Sequence, residues 1–184
     1  MGFGINRLKT FVKKFILRNE SNAFLRGKVF YSNSVIDELT PEQIEIGENF
    51  ISAPGSIILS HDASLSLLYG CYRIEKTIIG KNVFLGANAI ILPGVKIGNQ
   101  VIIGAGSIVT KNIPDGVVVA GNPARIICSV EDYHNKCKEK NVLYKINNDI
   151  YSQLLNGNEM DKAFFKALKK SLNNGFSIQN KKQQ

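Results

Sequence analysis

The chain has 184 residues with a formal net charge of +8 and is 44% hydrophobic, which suits one principal domain with modest extensions. No apolar run is long enough to cross a bilayer, and the N-terminus lacks the apolar core and small-residue cleavage site of a secretory signal, so a cytoplasmic address is expected. Cys71, Cys128 and Cys137 have no disulfide or metal-ligand spacing, which fits a reducing compartment and three ordinary small residues. The positive charge favours anionic partners, although solvated surface lysines explain it equally well; no nucleic-acid partner is expected.

From Gly4 to about Asn19, Ile5, Leu8, Phe11, Val12, Phe15 and Ile16 recur at helical spacing with Arg7, Lys9, Lys13, Lys14 and Arg18 between them. This predicts a basic amphipathic helix within an N-terminal cap segment, residues 1–27. Such a helix either caps the open end of the next domain or lies on an anionic membrane surface as a peripheral contact.

Residues 28–127 carry the strongest pattern. Ile79, Leu85, Ile91, Ile97, Ile103 and Val109 stand six positions apart, and Val83, Ala89, Val95, Val101, Ser107 and Ile113 form a second small or apolar column four places on. A third column reads Asn82, Asn88, Gly94, Gln100, Gly106 and Asn112, mostly residue types that reach left-handed backbone angles cheaply. Each hexad therefore supplies one short strand and one corner, and hexads in series predict a parallel β-helix, an all-β solenoid. An earlier run of the same frame spans Ile46, Ser52 and Ile58. The offset from Ile46 to Ile79 is not a multiple of six, so residues 62–76 leave the solenoid as a loop. After Pro114 the period breaks up, and residues 128–184 read as a helical extension. Ser129 and Asp132 form a capping box for a helix to about Lys140, and a second helix runs from about Glu159 to Asn173 with Met160, Phe164, Leu168 and Leu172 on one stripe.

His134 falls among charged residues and reads as surface. His61 stands at a corner immediately before the protruding loop, and loops on rigid scaffolds commonly host chemistry. A neutral imidazole there is suited to accept a proton from a hydroxyl or amine, or it merely turns the corner. Asp62 either orients His61 or faces water. A three-ligand zinc site is not expected, because His61 and His134 are the only histidines.

The stretches NFISAPGSIILSHD and TIIGKNVFLGANAIILPGVKIGNQVIIGAGSIVTKNIPDGVVVAGNPARII resemble the hexapeptide-repeat acyltransferases, the group that includes galactoside and maltose O-acetyltransferases and O-acetyltransferases of capsule and O-antigen synthesis. The resemblance implies a left-handed winding, against the usual right-handed crossover. The histidine count gives the expectation of no metal; the resemblance implies acetyl-CoA as acyl donor and a homotrimer with sites between subunits. It implies His61 as catalytic base and Asn33 as the group holding the acceptor or oxyanion, although Asn33 also suits a turn. Phe84, where relatives often carry a tryptophan, would lie beside the pantetheine arm. The backbone around Gly86, Ala87, Gly104 and Ala105 would bind that arm, and Lys111 and Arg125 would meet the nucleotide phosphates. The glycines are equally explained by packing and corner geometry. The resemblance leaves the acceptor open: a sugar or polysaccharide hydroxyl, or the amine of an amino-sugar nucleotide. A non-catalytic scaffold is the remaining alternative. Acceptor contacts are expected from the loop, with Asp62, Tyr69, Tyr72 and Arg73 as candidates.

Overall fold

The computed structural model describes the backbone of Phe24–Leu25 and Val29–Tyr31, the whole of residues 34–143, and Lys166, Lys169 and Lys170. The amphipathic helix expected over residues 4–19 and the candidate Asn33 lie outside the described residues. So does most of the second C-terminal helix, of which the three described lysines are helical and exposed.

Strands of two to five residues follow one another in a repeating circuit of three sheets. The first pass is β1 (Phe24–Leu25), β2 (Val29–Tyr31) and β3 (Val35–Ile36); the second is β4 (Ile44–Ile46), β5 (Phe50–Ser52) and β6 (Ile57–Ile58). Then β7 (His61–Asp62) and β8 (Arg73–Ile74) leave the circuit. The third pass is β9 (Thr77–Ile79), β10 (Phe84–Leu85) and β11 (Ile90–Ile91), and the fourth is β12 (Lys96–Ile97), β13 (Ile102–Ile103) and β14 (Ile108–Val109). Strand β1 is parallel to β4, β9 and β12 in sheet 1; β2, β5, β10, β13 and β15 (Val117–Ala120) form sheet 2; β3, β6, β11 and β14 form sheet 3. The registers Ile79 with Ile97, Leu85 with Ile103 and Ile91 with Val109 each span 18 residues, three hexads to a coil. The β-helix that the hexads predict is thus the observed architecture. Ile46 pairs with Ile79, 33 residues on, and the excess of 15 equals the excursion 62–76.

The six ladder residues from Ile79 to Val109 are all buried, as are Phe50, Ile44, Ile46 and Ile58 in the earlier coil. They form one axial core with Val83, Ala89, Val95 and Val101. Each fully buried aliphatic of this kind stabilises the folded chain by about 1.5–3 kcal/mol relative to exposure. Corners are turned at positive φ by Asn49, Asn82, Asn88, Gln100, Gly55, Gly94 and Gly106. Asn112 departs from the expected column: it keeps negative φ, and its Oδ1 accepts a hydrogen bond from Lys96 N–H at 2.9 Å. Another glycine column has a steric cause. A Cβ on Gly47 would stand 2.7 Å from the Gly80 carbonyl carbon, and one on Gly80 would stand 2.5 Å from the Gly98 carbonyl oxygen, so successive coils touch backbone to backbone there.

The outer faces differ. Sheet 1 presents Glu45, Ile78 and Lys96, whereas sheet 3 presents Val35, Ile57, Ile90 and Ile108 in register. At the C-terminal end β16 (Arg125–Ser129) folds back antiparallel on β15 and leads into helix α2 (Val130–Glu139). The Ser129 hydroxyl accepts from Asp132 N–H at 2.9 Å, the N-cap expected from the sequence. The excursion is an ordered hairpin: β7 pairs antiparallel with β8, and a single helical turn, α1 (Ser66–Tyr69), stops at Gly70 with φ of 63°. Among the described residues, no helix is long and apolar enough to cross a membrane.

Candidate active site

His61 lies where the chain departs from the prism. At this departure Ser60 N–H and His61 N–H both donate to Asp37 Oδ2 at 2.9 Å. The same carboxylate faces the imidazole, with His61 Nδ1 at 2.7 Å from Oδ1 and 2.5 Å from Oδ2. Leu39 N–H donates to Oδ1 at 3.0 Å. The Asp37 side chain has no solvent exposure, and the His61 side chain is one quarter exposed. Burial alone would raise the Asp37 pKa, but the hydrogen bonds from Ser60, the His61 ring, Leu39 and the His61 backbone outweigh it and hold the group at about 2. Beneath this pair the Thr40 and Ser60 hydroxyls are buried and 2.8 Å apart, and Ser60 Oγ also lies 2.8 Å from Thr40 O, so the floor is hydrogen-bonded. His61 Nε2 makes no hydrogen bond among the described residues.

The sequence left Asp62 as a possible partner for His61; that place belongs to Asp37. The Asp62 carboxylate accepts from Ser64 N–H at 2.8 Å within the loop, and this bond lowers its pKa. Asp37 escaped sequence reasoning because it sits one coil earlier, and the coils before and after it differ in length. Its signal was an acidic residue directly after a buried-type strand, VID, at the corner position.

Of the other loop candidates, Tyr72 is the one beside His61, with ring centroids 6.2 Å apart and planes tilted by 40°. Arg73 lies opposite Asp62 in the β7–β8 ladder and pairs with Glu75, Nε to Oε1 at 3.1 Å. Tyr69 is exposed on the single helical turn next to Leu67 and Leu68. His134 is exposed on α2, at a separate cleft with Asn82, Gln100 and Ile102.

The candidate acyl-donor contacts divide between two prism edges. Gly86, Ala87, Gly104 and Ala105 lie on the edge between sheets 2 and 3, and Arg125, paired with Ala120 at the end of sheet 2, is close to the same edge. His61 and Lys111 lie on the edge between sheets 3 and 1. Phe84 projects outward from sheet 2, in register with Ile51 and Ile102. Within one chain the outward aliphatics of sheet 3 separate the two groups. Gly86 is buried, and a Cβ there would lie 2.5 Å from Ala105 N, so coil stacking accounts for this glycine. Ala105 is exposed, and among the described residues its N–H takes no part in the inter-coil ladder. Lys111 is exposed and forms no ion pair among the described residues. No group of three or more His, Cys, Asp or Glu able to hold a metal occurs among the described residues.

The repeat itself has known relatives. Residues 76–111 match the family model described as the hexapeptide repeat of succinyl-transferase. YvoF of Bacillus subtilis (strain 168) is 42% identical over 121 residues, covering 63% of this chain and 68% of that protein. The chain belongs to the hexapeptide-repeat acetyltransferase family. Galactoside O-acetyltransferase of Escherichia coli (strain K12) is 40% identical over 113 residues, 58% of this chain, so the match spans about half (54%) of that enzyme's length. The crystal structure of a maltose O-acetyltransferase from Clostridium difficile 630 is similar over 64% of this chain and 74% of its own, at 31% identity and a TM-score of 0.49.

Proposed function

We propose that this protein transfers an acetyl group from acetyl-CoA to a hydroxyl of a sugar or surface-polysaccharide precursor. The observation that carries the proposal is the anchored His61 imidazole, whose Nε2 makes no hydrogen bond among the described residues and which lies beside Tyr72 at the root of the loop. In the reaction Nε2 takes the hydroxyl proton while the acceptor oxygen bonds to the thioester carbonyl carbon. The carbon–sulfur bond then breaks, and the coenzyme A thiolate takes the proton from the imidazolium. An oxyanion donor is required, and the Asn33 amide or a backbone N–H serves. The acceptor lies against the loop, with Tyr72 as an aromatic wall and Asp62, Tyr69 and Arg73 as further contacts.

The acyl donor uses Gly86, Ala87, Gly104, Ala105, Phe84 and Arg125 from one copy and Lys111 with His61 from its neighbour in a homotrimer. The division of these residues between two edges, and the apolar column on sheet 3, support that arrangement. A left-handed winding and a cytoplasmic location go with the same proposal.

The test is steady-state kinetics of His61→Ala with acetyl-CoA and a good acceptor. Turnover is expected to fall about 10²–10⁴-fold, the loss of a general base. An unchanged rate of thiol release removes His61 from the role. An alkali-labile product identifies an ester; a stable one identifies an amide and an amine acceptor instead.

A further inference from the structure

We infer that Asp37 is the positioning residue of this site: it fixes the ring and backbone of His61 and sets which nitrogen carries the proton. The inference rests on His61 being the base. A base needs a lone pair on the nitrogen facing the acceptor, so the opposite nitrogen must hold the proton and donate it. Asp37 is the buried acceptor that meets Nδ1, and its four hydrogen-bonding partners leave it no role as a donor. An ionised carboxylate accepts only. Nδ1 therefore donates, and Nε2 is left with its lone pair outward. When Nε2 takes the acceptor proton, the resulting imidazolium stands against a negative carboxylate in a buried setting, which stabilises the charge as it forms.

The backbone contacts matter as much. Where β7 leaves the prism, Asp37 Oδ2 accepts from Ser60 N–H and His61 N–H, so the histidine is held at its Cα as well as at its ring. A side chain fixed at both ends loses little orientational freedom on reaction, which is what placement of a general base requires. Asp37 belongs to the coil before His61, so the base is set by the stacking of two coils. The other charged or titratable groups around the imidazole are Asp62, Arg73 and Tyr72, with Glu75 behind them: its N–H donates to Ser60 O at 2.9 Å, and its carboxylate pairs with Arg73. None of them is hydrogen-bonded to the ring.

Asp37→Asn tests this. The amide keeps an oxygen for Ser60 and His61 N–H but removes the charge and turns an NH₂ group toward Nδ1 and Leu39 N–H, which lose their acceptor at Oδ1. Turnover is expected to fall about 10²-fold or more, because a neutral partner neither holds the ring nor offsets the charge that forms on it. KM for acetyl-CoA should stay within about twofold, since uniform binding is untouched. A purely structural Asp37 would lower the folded fraction and leave kcat per folded molecule unchanged, and that outcome overturns the inference. If His61→Ala abolishes turnover while Asp37→Asn leaves turnover per folded molecule intact, the base stands and the positioning role falls; if His61→Ala is active, both fall. Nitrogen-15 NMR of the unaltered protein gives an answer that needs no variant to fold. With two histidines in the chain, one imidazole should show the proton on Nδ1, and a resting His61 protonated on Nε2 alone overturns the inference.

Discussion

Asp37 should make the stability of this protein acid-sensitive in a way that can be isolated. Its carboxyl is fully buried, and its pKa is lowered from an ordinary 3.8 to about 2. A group whose pKa is depressed on folding stabilises the folded state above its unfolded pKa, because there the ionised form is favoured by the native hydrogen bonds. That stabilisation disappears as pH falls through the folded pKa. At about 1.36 kcal/mol per pH unit the full effect is about 2 kcal/mol, of which about 1 kcal/mol is gone by pH 3. Urea unfolding of the unaltered protein and of Asp37→Asn, each from pH 6 to pH 2.5 at one protein concentration, separates this contribution from those of other carboxylates. The stability gap between the two should be constant from pH 6 to about pH 5 and narrow below it. A gap that does not change between pH 6 and pH 3 would refute the argument, since Asp37 would then carry the same proton affinity folded and unfolded.

Three further outcomes follow from the geometry. Gly47→Ala places a methyl 2.7 Å from the Gly80 carbonyl carbon, against backbone rather than a movable side chain, and should cost about 1–3 kcal/mol in denaturant unfolding. Asn88 turns its corner at φ of 56°; Asn88→Gly should leave the melting temperature near its starting value, whereas Asn88→Val should lower stability by about 1–2 kcal/mol, because a β-branched residue is strained there. Lys111→Ala should raise KM for acetyl-CoA with kcat little changed, the pattern expected when a contact equal in ground and transition states is removed; an unchanged KM takes the phosphate role from Lys111.

The hexad ladder made the prism legible because each coil repeats one local rule: an inward aliphatic followed by a residue that tolerates a corner. Ile79 through Val109 needed no tertiary information to be placed inside, and the register slip between Ile46 and Ile79 located the excursion at 62–76. His61 was legible for the same reason, as the last residue before the rule breaks. The order within the excursion was less legible. Its β7–β8 pairing and single turn of helix rest on few residues and on contacts with Ser60 O, which no short-range pattern announces.

By itself, then, the sequence determined the solenoid, the length of its coil, the boundary of the loop and the place of His61 at its root, since all of these are periodic or adjacent in the chain. Tertiary structure alone decided what stands next to what around the axis. It placed Asp37, 24 residues before His61, against the imidazole, left Asp62 to the loop, and put Ala105 and Lys111 on different edges. The physical reason is coil stacking: a residue's neighbour across the prism is set by the length of the whole coil between them, and insertions of a few residues in the early coils shift that pairing without leaving a local trace.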